Sequence, residues 1–386
     1  MRRFGRCDDR QVRTEPLIAA IRPFLDAGVV PGAVVGLRER GEVSLEAWGT
    51  IAPGSEIPLL VDAQARISSN TKPMVAAVTL MLAEDGVLGL DDPVERFIPE
   101  LADRQVLRRV DGPLDETEPA RRPVTVEDLL TMRLGFGWVF ESESPAVDRA
   151  RELELGFGPP DPQALQPPEE WIARFAQLPL LEQPGSVWRY ELAFAVLGIV
   201  IARAAGRPLE VTRAERLFTP LGMTDTAFVA DLERLVPAFV RGDNGLAPFD
   251  GVADSRWASP PPFADGRGGL VSTGGDLLRF AGMLLDAGGG LLTRSAATAM
   301  TTDHLTAEQR AGPSAATFLD SGGWGYGVGV VESPAGRRYG WGGGLGTLWY
   351  SWPDHDLAAV LISQVLPPSS EMFSAFTAAV ESSIID

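Results

Sequence analysis

The segments of this chain that resemble β-strands lie near its two ends, with helical segments mostly between them. The runs 32–38 and 43–48 have the composition of two strands on either side of the turn Glu39-Arg40-Gly41. Towards the other end, four further runs have the pattern of successive antiparallel strands, namely 326–332, 338–341, 345–352 and 357–364. Because strands must bury a face in a common core, both groups are expected to join one antiparallel sheet built from the two ends of the chain.

Helical periodicity occupies most of the remaining sequence. Helices are predicted over 15–27, 71–84, 169–177, 192–205 and 371–385, with one beginning near Val124 and another capped at 272–276 and running to about 286. The expected class is α/β (α+β), an antiparallel sheet flanked by helices plus a mainly helical lobe, with the active site in the cleft between them. The expected domains are a disordered tail (1–14), an α/β domain (15–88 and 255–386) and a mainly helical domain (89–254).

One long stretch has few regular signals. It extends from Gly135 to Pro168 and is rich in proline and glycine. Structureless stretches of this length are usually functional lids or insertions. Phe136 and Trp138 lie near its start and are candidates for shaping a substrate site, although aromatic residues also pack in cores.

The charge balance excludes one large class of partners. The formal net charge of −18 leaves no basic surface of the kind that nucleic acid binding needs. No apolar run reaches the eighteen or so residues that cross a bilayer, and no apolar run follows the basic start in the manner of a secretory signal. No membrane association is therefore expected, and the expected location is cytoplasmic. The single cysteine, Cys7, cannot form an internal disulfide.

The sequence contains no motif for a metal or a phosphate-bearing cofactor. The two histidines, His304 and His355, are not part of a His-x-x-x-His or Cys-x-x-Cys spacing, so a metal site is not expected. No Gly-x-Ser-x-Gly elbow occurs, which disfavours a Ser-His-Asp hydrolase. No glycine-rich loop precedes Lys-Ser or Lys-Thr, so a P-loop is absent.

The chain has one lysine, Lys72, and it follows Ser69 by three residues at the start of a predicted helix. This spacing places both side chains on the same helix face, one turn apart. Arginine keeps its proton in proteins, whereas a buried lysine can lose its proton and accept one from a hydroxyl. Ser69 is therefore the candidate nucleophile and Lys72 its base, with Ser68 as a weaker candidate nucleophile. The alternative is that Ser69 only caps the helix.

Two other segments carry candidate functional groups. Tyr190 follows a Pro-Gly turn and precedes a long apolar helix, where a phenol near an ammonium group could relay a proton. The alternative is that Tyr190 serves packing alone, which is the more common role of a tyrosine at a helix start. The run 341–344, Trp-Gly-Gly-Gly, lies on a predicted strand, and glycines weaken a strand unless another group approaches closely. An edge strand here could present the Gly344 N–H to a substrate oxygen, although a glycine bulge or hairpin has the same pattern.

In this order, the three segments resemble the motifs of the serine β-lactamase and penicillin-binding-protein superfamily. Those motifs are Ser-x-x-Lys, Tyr-x-Asn, and Lys-Thr-Gly or His-x-Gly. Supporting similarities occur over 268–277 and 324–329, and the resemblance extends over roughly residues 15–385. Class C β-lactamases and D-alanyl-D-alanine carboxypeptidases are the most similar branch. The resemblance implies a β-lactamase/transpeptidase-like fold.

Two departures from these motifs narrow the expected activity. Leu192 occupies the position of the motif Asn, and Trp341 occupies that of the third-motif Lys or His. In lactamases these polar groups hold the substrate amide and carboxylate. The apolar pattern is similar to family VIII carboxylesterases and to a related fungal acyltransferase that acylates a statin precursor, enzymes that act on neutral esters and thioesters.

The resemblance implies a serine carboxylesterase that forms an acyl-enzyme on Ser69, with Lys72 and Tyr190 as the base pair. Transfer of the acyl group to another alcohol is also implied. The N–H groups of Ser69 and Gly344 would hold the oxyanion. The expected substrate-binding residues are Trp341, Gly342, Gly343, Leu192, Phe136 and Trp138. The implied partner is a small-molecule ester, with no cofactor or metal, and the pattern carries no signal for an oligomeric state.

Two other interpretations are compatible with the same motifs. The first is a β-lactamase, a D-amino peptidase or an amide hydrolase of the 6-aminohexanoate type, which the loss of the motif Asn and of the third-motif cation disfavours. Comparison of ester and nitrocefin turnover distinguishes it. The second is a binding protein on the same fold that forms an acyl adduct and never releases it. Its intact mass after exposure to an ester would show a persistent adduct without turnover.

Overall fold

The computed structural model describes residues 9–319 and 322–385. The helices are α1 (Asp9–Asp26), α2 (Thr71–Glu84), α3 (Val126–Leu130), α4 (Pro145–Glu152), α5 (Pro168–Phe175), α6 (Ala193–Ala205), α7 (Leu209–Arg213), α8 (Thr219–Leu221), α9 (Gly274–Leu285), α10 (Arg294–Met300), α11 (Ala307–Arg310), α12 (Pro313–Phe318) and α13 (Ser370–Ile385). The strands are β1 (Gly32–Glu39), β2 (Glu42–Gly49), β3 (Ala65–Arg66), β4 (Gln105–Leu107), β5 (Thr117–Pro119), β6 (Ala238–Gly242), β7 (Gly245–Asp250), β8 (Val271–Ser272), β9 (Gly323–Trp324), β10 (Gly329–Ser333), β11 (Gly336–Gly343), β12 (Thr347–Trp352), β13 (Leu357–Ile362) and β14 (Val365–Leu366).

The largest sheet unites the two ends of the chain. It has seven strands in the order β2-β1-β13-β12-β11-β10-β9, and every neighbouring pair is antiparallel. The connection between the two ends is the β1–β13 pair, in which Val34 lies opposite Ile362. The predicted single antiparallel sheet is therefore confirmed.

The sheet is the central layer of its domain, with helices on both faces. Successive strand residues point to opposite faces, and in β1 Val35 and Leu37 belong to the core cluster that contains Leu17 of α1 and Phe376 of α13. Val34 belongs instead to the larger cluster on the other side, against which α9 packs. Burial on both faces explains why β1 is almost continuously apolar rather than alternating.

The helical lobe is centred on α6. This helix is apolar all round, and its residues from Ala193 to Ile201 are all buried, as expected for a helix inside a lobe rather than on its surface. It ends at Gly206, which adopts the left-handed conformation that favours glycine at this position. Because α6 packs against both α2 and α3, it joins the lobe to the helix that carries Lys72.

Three local features were not anticipated from the sequence. Residues 1–8 of the expected tail lie outside the described residues, and α1 already begins at Asp9, so the tail from Asp9 onwards is helical. The segment predicted to be mainly helical contains the β6–β7 hairpin, which also pairs through β6 with β14. Pro248 and exposed glycines hide the strand pattern of this hairpin. The long stretch after Gly135 contains α4, whose narrow buried stripe is made mostly of alanine and gives a weak apolar signal.

Candidate active site

Ser69 lies in a single 3₁₀ turn, Ser68–Asn70, immediately before α2. Neighbouring elements hold this turn in place. Thr347 of β12 donates a hydrogen bond to the Ile67 carbonyl at 3.1 Å, and the Asn70 side-chain amide donates to the Thr347 hydroxyl at 3.0 Å. The predicted helix over 71–84 is confirmed, although Ser69 precedes it in this turn rather than lying within it.

A glycine in β11 allows that strand to lie directly against the turn. A side chain at Gly343 would collide with the Ile67 carbonyl and the Thr347 hydroxyl. The absence of a side chain therefore permits the close approach, as expected for a glycine inside a strand. The next residue, Gly344, then lies on the wall of the same cavity as Ser69.

The hydroxyl of Ser69 receives hydrogen bonds from both of the other predicted catalytic residues. Lys72 Nζ donates to Ser69 Oγ at 2.9 Å, and the Tyr190 hydroxyl donates to the same atom at 2.7 Å. Lys72 Nζ also lies 4.5 Å from the centre of the Tyr190 ring. The structure therefore brings together a serine, a lysine and a tyrosine that are separated by as many as 121 residues in the chain.

Lys72 is completely buried, and each of its three ammonium protons has an acceptor. Besides Ser69, Nζ donates to Glu191 Oε2 at 2.8 Å and to the Arg267 carbonyl at 2.7 Å. Burial lowers the pKa of Lys72, but the Glu191 carboxylate and the Tyr190 oxygen together raise it by more, so the net direction is upward. The resting site therefore holds an ammonium group rather than the neutral amine that burial alone would favour.

Glu191 is a site residue that the sequence-based reasoning did not identify. It lies between Tyr190 and Leu192, and its side chain is mostly buried, with 12% exposed. The predicted burial of Lys72 could have pointed to Glu191. A buried cation needs an anionic partner, and Glu191 is next to the predicted Tyr190 in the sequence.

Arg267, whose carbonyl contacts Lys72, carries a charge that is neutralised locally. Its Nε donates to Asp265 Oδ2 at 2.8 Å, and its Nη1 donates to the Gly156 carbonyl at 2.8 Å. Burial lowers the pKa of Arg267, but Asp265 and, less strongly, Glu191 together raise it by more, so the guanidinium stays charged and paired. Among the described residues that line the cavity, Arg267 is the only cation, and the acidic residues there are Asp161, Glu191 and Asp265.

Trp341 has a different place from the one predicted. It was expected to bind substrate, but its indole Nε1 donates to the Tyr190 hydroxyl oxygen at 2.9 Å, and its ring is not part of the cavity lining. Trp324 packs edge-on against it, with ring centres 4.7 Å apart. The residue that replaces the third-motif Lys or His therefore supplies a neutral hydrogen-bond donor to Tyr190.

The other predicted substrate-binding residues divide between the cavity and the protein interior. Trp138 lines the cavity, whereas Gly342 and Gly343 do not. Leu192 and Phe136 are fully buried outside the lining. Phe136 packs edge-on against Phe175 at 5.4 Å, so this aromatic ring contributes to the core of the lobe.

The cavity beside Ser69 has a volume of about 600 Å³ and a mainly apolar lining. Its apolar side chains come from separated parts of the chain and include Trp138, Phe157, Leu165, Phe263 and Phe318. The long stretch 135–168, which was predicted to have little regular structure, supplies part of this lining. The contributions from 263–269 and 366–368 were not predicted, because nothing local distinguishes a residue that lines a cavity from one in the core.

The described residues contain neither a membrane-spanning candidate nor a metal cluster. None of the helices in this part of the chain combines the length and apolar character needed to cross a bilayer. Within the same ranges, no group of three or more His, Cys, Asp or Glu residues is placed to hold a metal ion.

Comparison with known proteins identifies the family. The β-lactamase family model matches residues 17–382. Protein Rv1367c of Mycobacterium tuberculosis (strain ATCC 25618 / H37Rv) is 36% identical over 370 residues, covering 91% of this chain and 90% of that protein. Esterase EstB of Burkholderia gladioli is 32% identical over 352 residues, covering 83% and 82%. The structure of EstCE1, described as a hydrolase with promiscuous acyltransferase activity, has a TM-score of 0.80 at 24% identity, covering 97% of this chain and 99% of that one.

The chain belongs to the β-lactamase family. Its fold is the β-lactamase/transpeptidase-like fold that the motif resemblance implied, with an antiparallel sheet flanked by helices. The similarities place it in the serine β-lactamase and penicillin-binding-protein superfamily, near the family VIII carboxylesterases. It is thus an enzyme of the serine hydrolase class that has this fold.

Proposed function

We propose that this protein is a serine carboxylesterase that cleaves esters through an acyl-enzyme on Ser69 and can pass the acyl group to an alcohol as well as to water. The observation that carries the proposal is the convergence of Lys72 Nζ and the Tyr190 hydroxyl on Ser69 Oγ, at 2.9 and 2.7 Å, beside an apolar cavity. The similarity to Esterase EstB supports ester chemistry over other reactions of the family.

The first step requires a group that takes the proton of Ser69 as Oγ attacks the ester carbonyl. As an ammonium group with three acceptors, Lys72 has no lone pair to offer. In its deprotonated form, the Tyr190 oxygen is the remaining acceptor within hydrogen-bond reach. Lys72 and Trp341 then stabilise the negative charge on this oxygen, one through its positive charge and the other through its N–H. Lys72 and Tyr190 thus act as a pair with different roles.

The second requirement is stabilisation of the oxyanion that forms on the substrate. The backbone N–H groups of Ser69 and Gly344 are proposed to hold it, because both residues lie on the cavity wall and Ser69 lies in the 3₁₀ turn that leads into α2. Tyr190 then returns the proton to the leaving alcohol. Water or a second alcohol, deprotonated by the same tyrosine oxygen, attacks the acyl-enzyme, and Tyr190 returns that proton to Ser69 Oγ as the acyl group leaves.

The cavity favours neutral substrates with apolar groups. Its lining is mainly apolar, and the only cation among its described residues is already paired with Asp265. A substrate carboxylate would therefore lose its hydration without gaining a partner, and it would face the carboxylates of Asp161 and Glu191. The same proposal takes a small-molecule ester as the partner and the cytoplasm as the site of action, without a cofactor.

Hydrolysis of p-nitrophenyl butyrate compared with nitrocefin tests this function. We expect kcat/KM for nitrocefin to be lower by roughly 100-fold or more, because two polar contacts to the lactam are missing at Leu192 and Trp341 and each unmade contact costs about 1–3 kcal/mol. Steady-state rates of the wild-type enzyme on both compounds provide the measurement. Nitrocefin turnover equal to or above ester turnover would assign the protein to lactam hydrolysis instead.

Mass spectrometry distinguishes an esterase from a protein that only traps an acyl group. Intact wild-type protein mixed with excess p-nitrophenyl butyrate is expected to show a butyryl adduct that disappears once the ester is consumed. Release of p-nitrophenol should continue far beyond one equivalent per protein. A permanent adduct with release limited to one equivalent would contradict catalytic turnover.

Trp341→Phe tests the hydrogen bond to Tyr190. The change keeps an aromatic ring against Trp324 but removes the N–H that lies 2.9 Å from the tyrosine oxygen. We expect kcat for the ester to fall roughly tenfold or more, because a hydrogen bond to a charged group contributes about 1.5–3 kcal/mol. KM should change little, since Trp341 does not line the cavity.

The matched control is Trp349→Phe, which also removes a buried indole N–H, in this case one that donates to Ser351 Oγ at 3.1 Å. It should affect thermal stability without a comparable loss in kcat. Equal losses of kcat in the two variants would mean that indole removal acts through packing rather than through Tyr190.

A further inference from the structure

Glu191 occupies the middle position of the Tyr-x-Asn motif, a position that the motif leaves open. Its carboxylate extends from the turn before α6 to the amine on α2, with Oε2 2.8 Å from Lys72 Nζ. Glu191 also forms part of the cavity wall. The carboxylate thus lies between the substrate space and the only lysine of the chain.

The groups around Lys72 show why this carboxylate matters. Nζ faces Ser69 and Tyr190 on one side and the Arg267 carbonyl on another, and none of these is a permanent anion. The nearby carboxylate of Asp265 is bonded to the guanidinium of Arg267, so these two charges offset each other. Glu191 is therefore the carboxylate that pairs with the ammonium. A fully buried cation without such a partner is strongly disfavoured.

Resting on the proposed function, we infer that Glu191 is a positioning residue that keeps Lys72 charged and directed at Ser69, and thereby sets the pH dependence of the reaction. Its carboxylate bonds to Lys72 rather than to Ser69. Its effect reaches the reaction through the charge and position of Lys72.

The direction of its effect follows from charge. A carboxylate stabilises a neighbouring ammonium and disfavours a neighbouring phenolate. Replacing Glu191 with glutamine leaves the cluster one unit more positive, which favours the deprotonated form of every acid in it. Burial is the largest influence on the pKa of Lys72 and acts downward, so this pKa should fall once the carboxylate is removed. The acidic limb of the activity profile should move to lower pH for the same reason.

Nuclear magnetic resonance can follow the charge of Lys72 directly. Because the chain has one lysine, protein grown with ¹³Cε-labelled lysine yields a single lysine signal. In the wild type this signal is expected to keep its ammonium shift up to the alkaline limit of folding. In Glu191→Gln it should titrate at least about one pH unit lower, since removal of a contacting charge commonly shifts a pKa by one to three units. Glu191→Asp, which keeps the charge, should restore wild-type behaviour in part.

The pH dependence of kcat/KM for p-nitrophenyl butyrate provides the second measurement. The acidic limb of Glu191→Gln is expected to lie about one pH unit below that of the wild type. Glu100→Gln is the matched control, because this carboxylate also pairs with a basic side chain, Arg203 at 2.8 Å, but lies outside the cavity lining. Its acidic limb should coincide with that of the wild type.

A Glu191→Gln signal that shows no titration below the alkaline limit of the wild type would overturn the inference. An acidic limb that moves equally in the two variants would also overturn it. The labelled-lysine measurement needs no substrate, so it reports on Glu191 even if the esterase proposal fails. Conversely, ester turnover that depends on Ser69 would stand even if Lys72 proved insensitive to Glu191.

Discussion

Ser69→Ala is expected to abolish ester hydrolysis while the fold stays intact. Removing the nucleophile of a serine hydrolase lowers kcat by several orders of magnitude, so a loss of roughly 10⁴-fold or more is expected for p-nitrophenyl butyrate. The structure predicts little effect on folding. After the change, Lys72 keeps Glu191 and the Arg267 carbonyl, and Tyr190 keeps Trp341. The melting temperature should therefore lie close to that of the wild type.

Ser68→Ala is the matched control for this experiment. Ser68 was the weaker candidate nucleophile, and its buried hydroxyl makes no hydrogen bond within the described part of the chain. Removal of a buried polar group without a partner costs little. Intact-mass measurements should show the butyryl adduct in the wild type and in Ser68→Ala but not in Ser69→Ala. An adduct that persists in Ser69→Ala and disappears in Ser68→Ala would show that Ser68, and not Ser69, is the nucleophile.

Tyr190→Phe is expected to lower kcat by roughly 10²–10⁴-fold, the usual contribution of a positioned general acid or base. The change removes the oxygen 2.7 Å from Ser69 Oγ but keeps the ring, which stacks on Phe318 with ring centres 4.4 Å apart. The nucleophile and the proposed oxyanion donors stay in place. Rates with p-nitrophenyl butyrate, measured together with the melting temperature, separate lost chemistry from lost packing.

Tyr326→Phe provides the comparison. Tyr326 is also buried, and its hydroxyl donates to Glu127 Oε1 at 3.1 Å, away from the cavity lining. Removal of this phenol oxygen should cost stability on the order of 1 kcal/mol with little change in kcat. If both tyrosine variants lose the same small factor in kcat, Tyr190 is not the proton carrier and the mechanism proposed for this site is wrong.

The site residues that could be predicted are those that lie at a short-range spacing in the sequence or belong to a strong motif. Ser69 and Lys72 are one helical turn apart, so helix geometry alone brings them together. The meeting of Tyr190 with them depends on tertiary structure, and it was anticipated through motif order and family resemblance rather than through local physics. The sheet was predictable because the apolar strands at both ends had no other way to bury their faces.

The site features that the sequence did not predict have two causes. Some depend on where the tertiary structure places a residue, and others on a chemical group of the side chain that was not considered. Leu192 and Phe136 are apolar, and the sequence alone cannot distinguish an apolar core residue from one that lines a cavity. Trp341 was judged by its ring, whereas the structure uses its N–H. Glu191 was overlooked because carboxylates are usually solvated, although the burial of the only lysine required an anion nearby.

The β1–β13 pair also has a consequence for biosynthesis. The first strands leave the ribosome early, but β13, their neighbour in the sheet, is translated only after the whole helical lobe. The threonine that anchors the nucleophile turn and the glycine proposed as an oxyanion donor also belong to this late region. A nascent polypeptide that stalls before these residues emerge would carry its reactive serine without these companions. The sheet of such a domain is complete only after β13 has emerged from the ribosome, so catalytic competence is expected only once this late region has been translated.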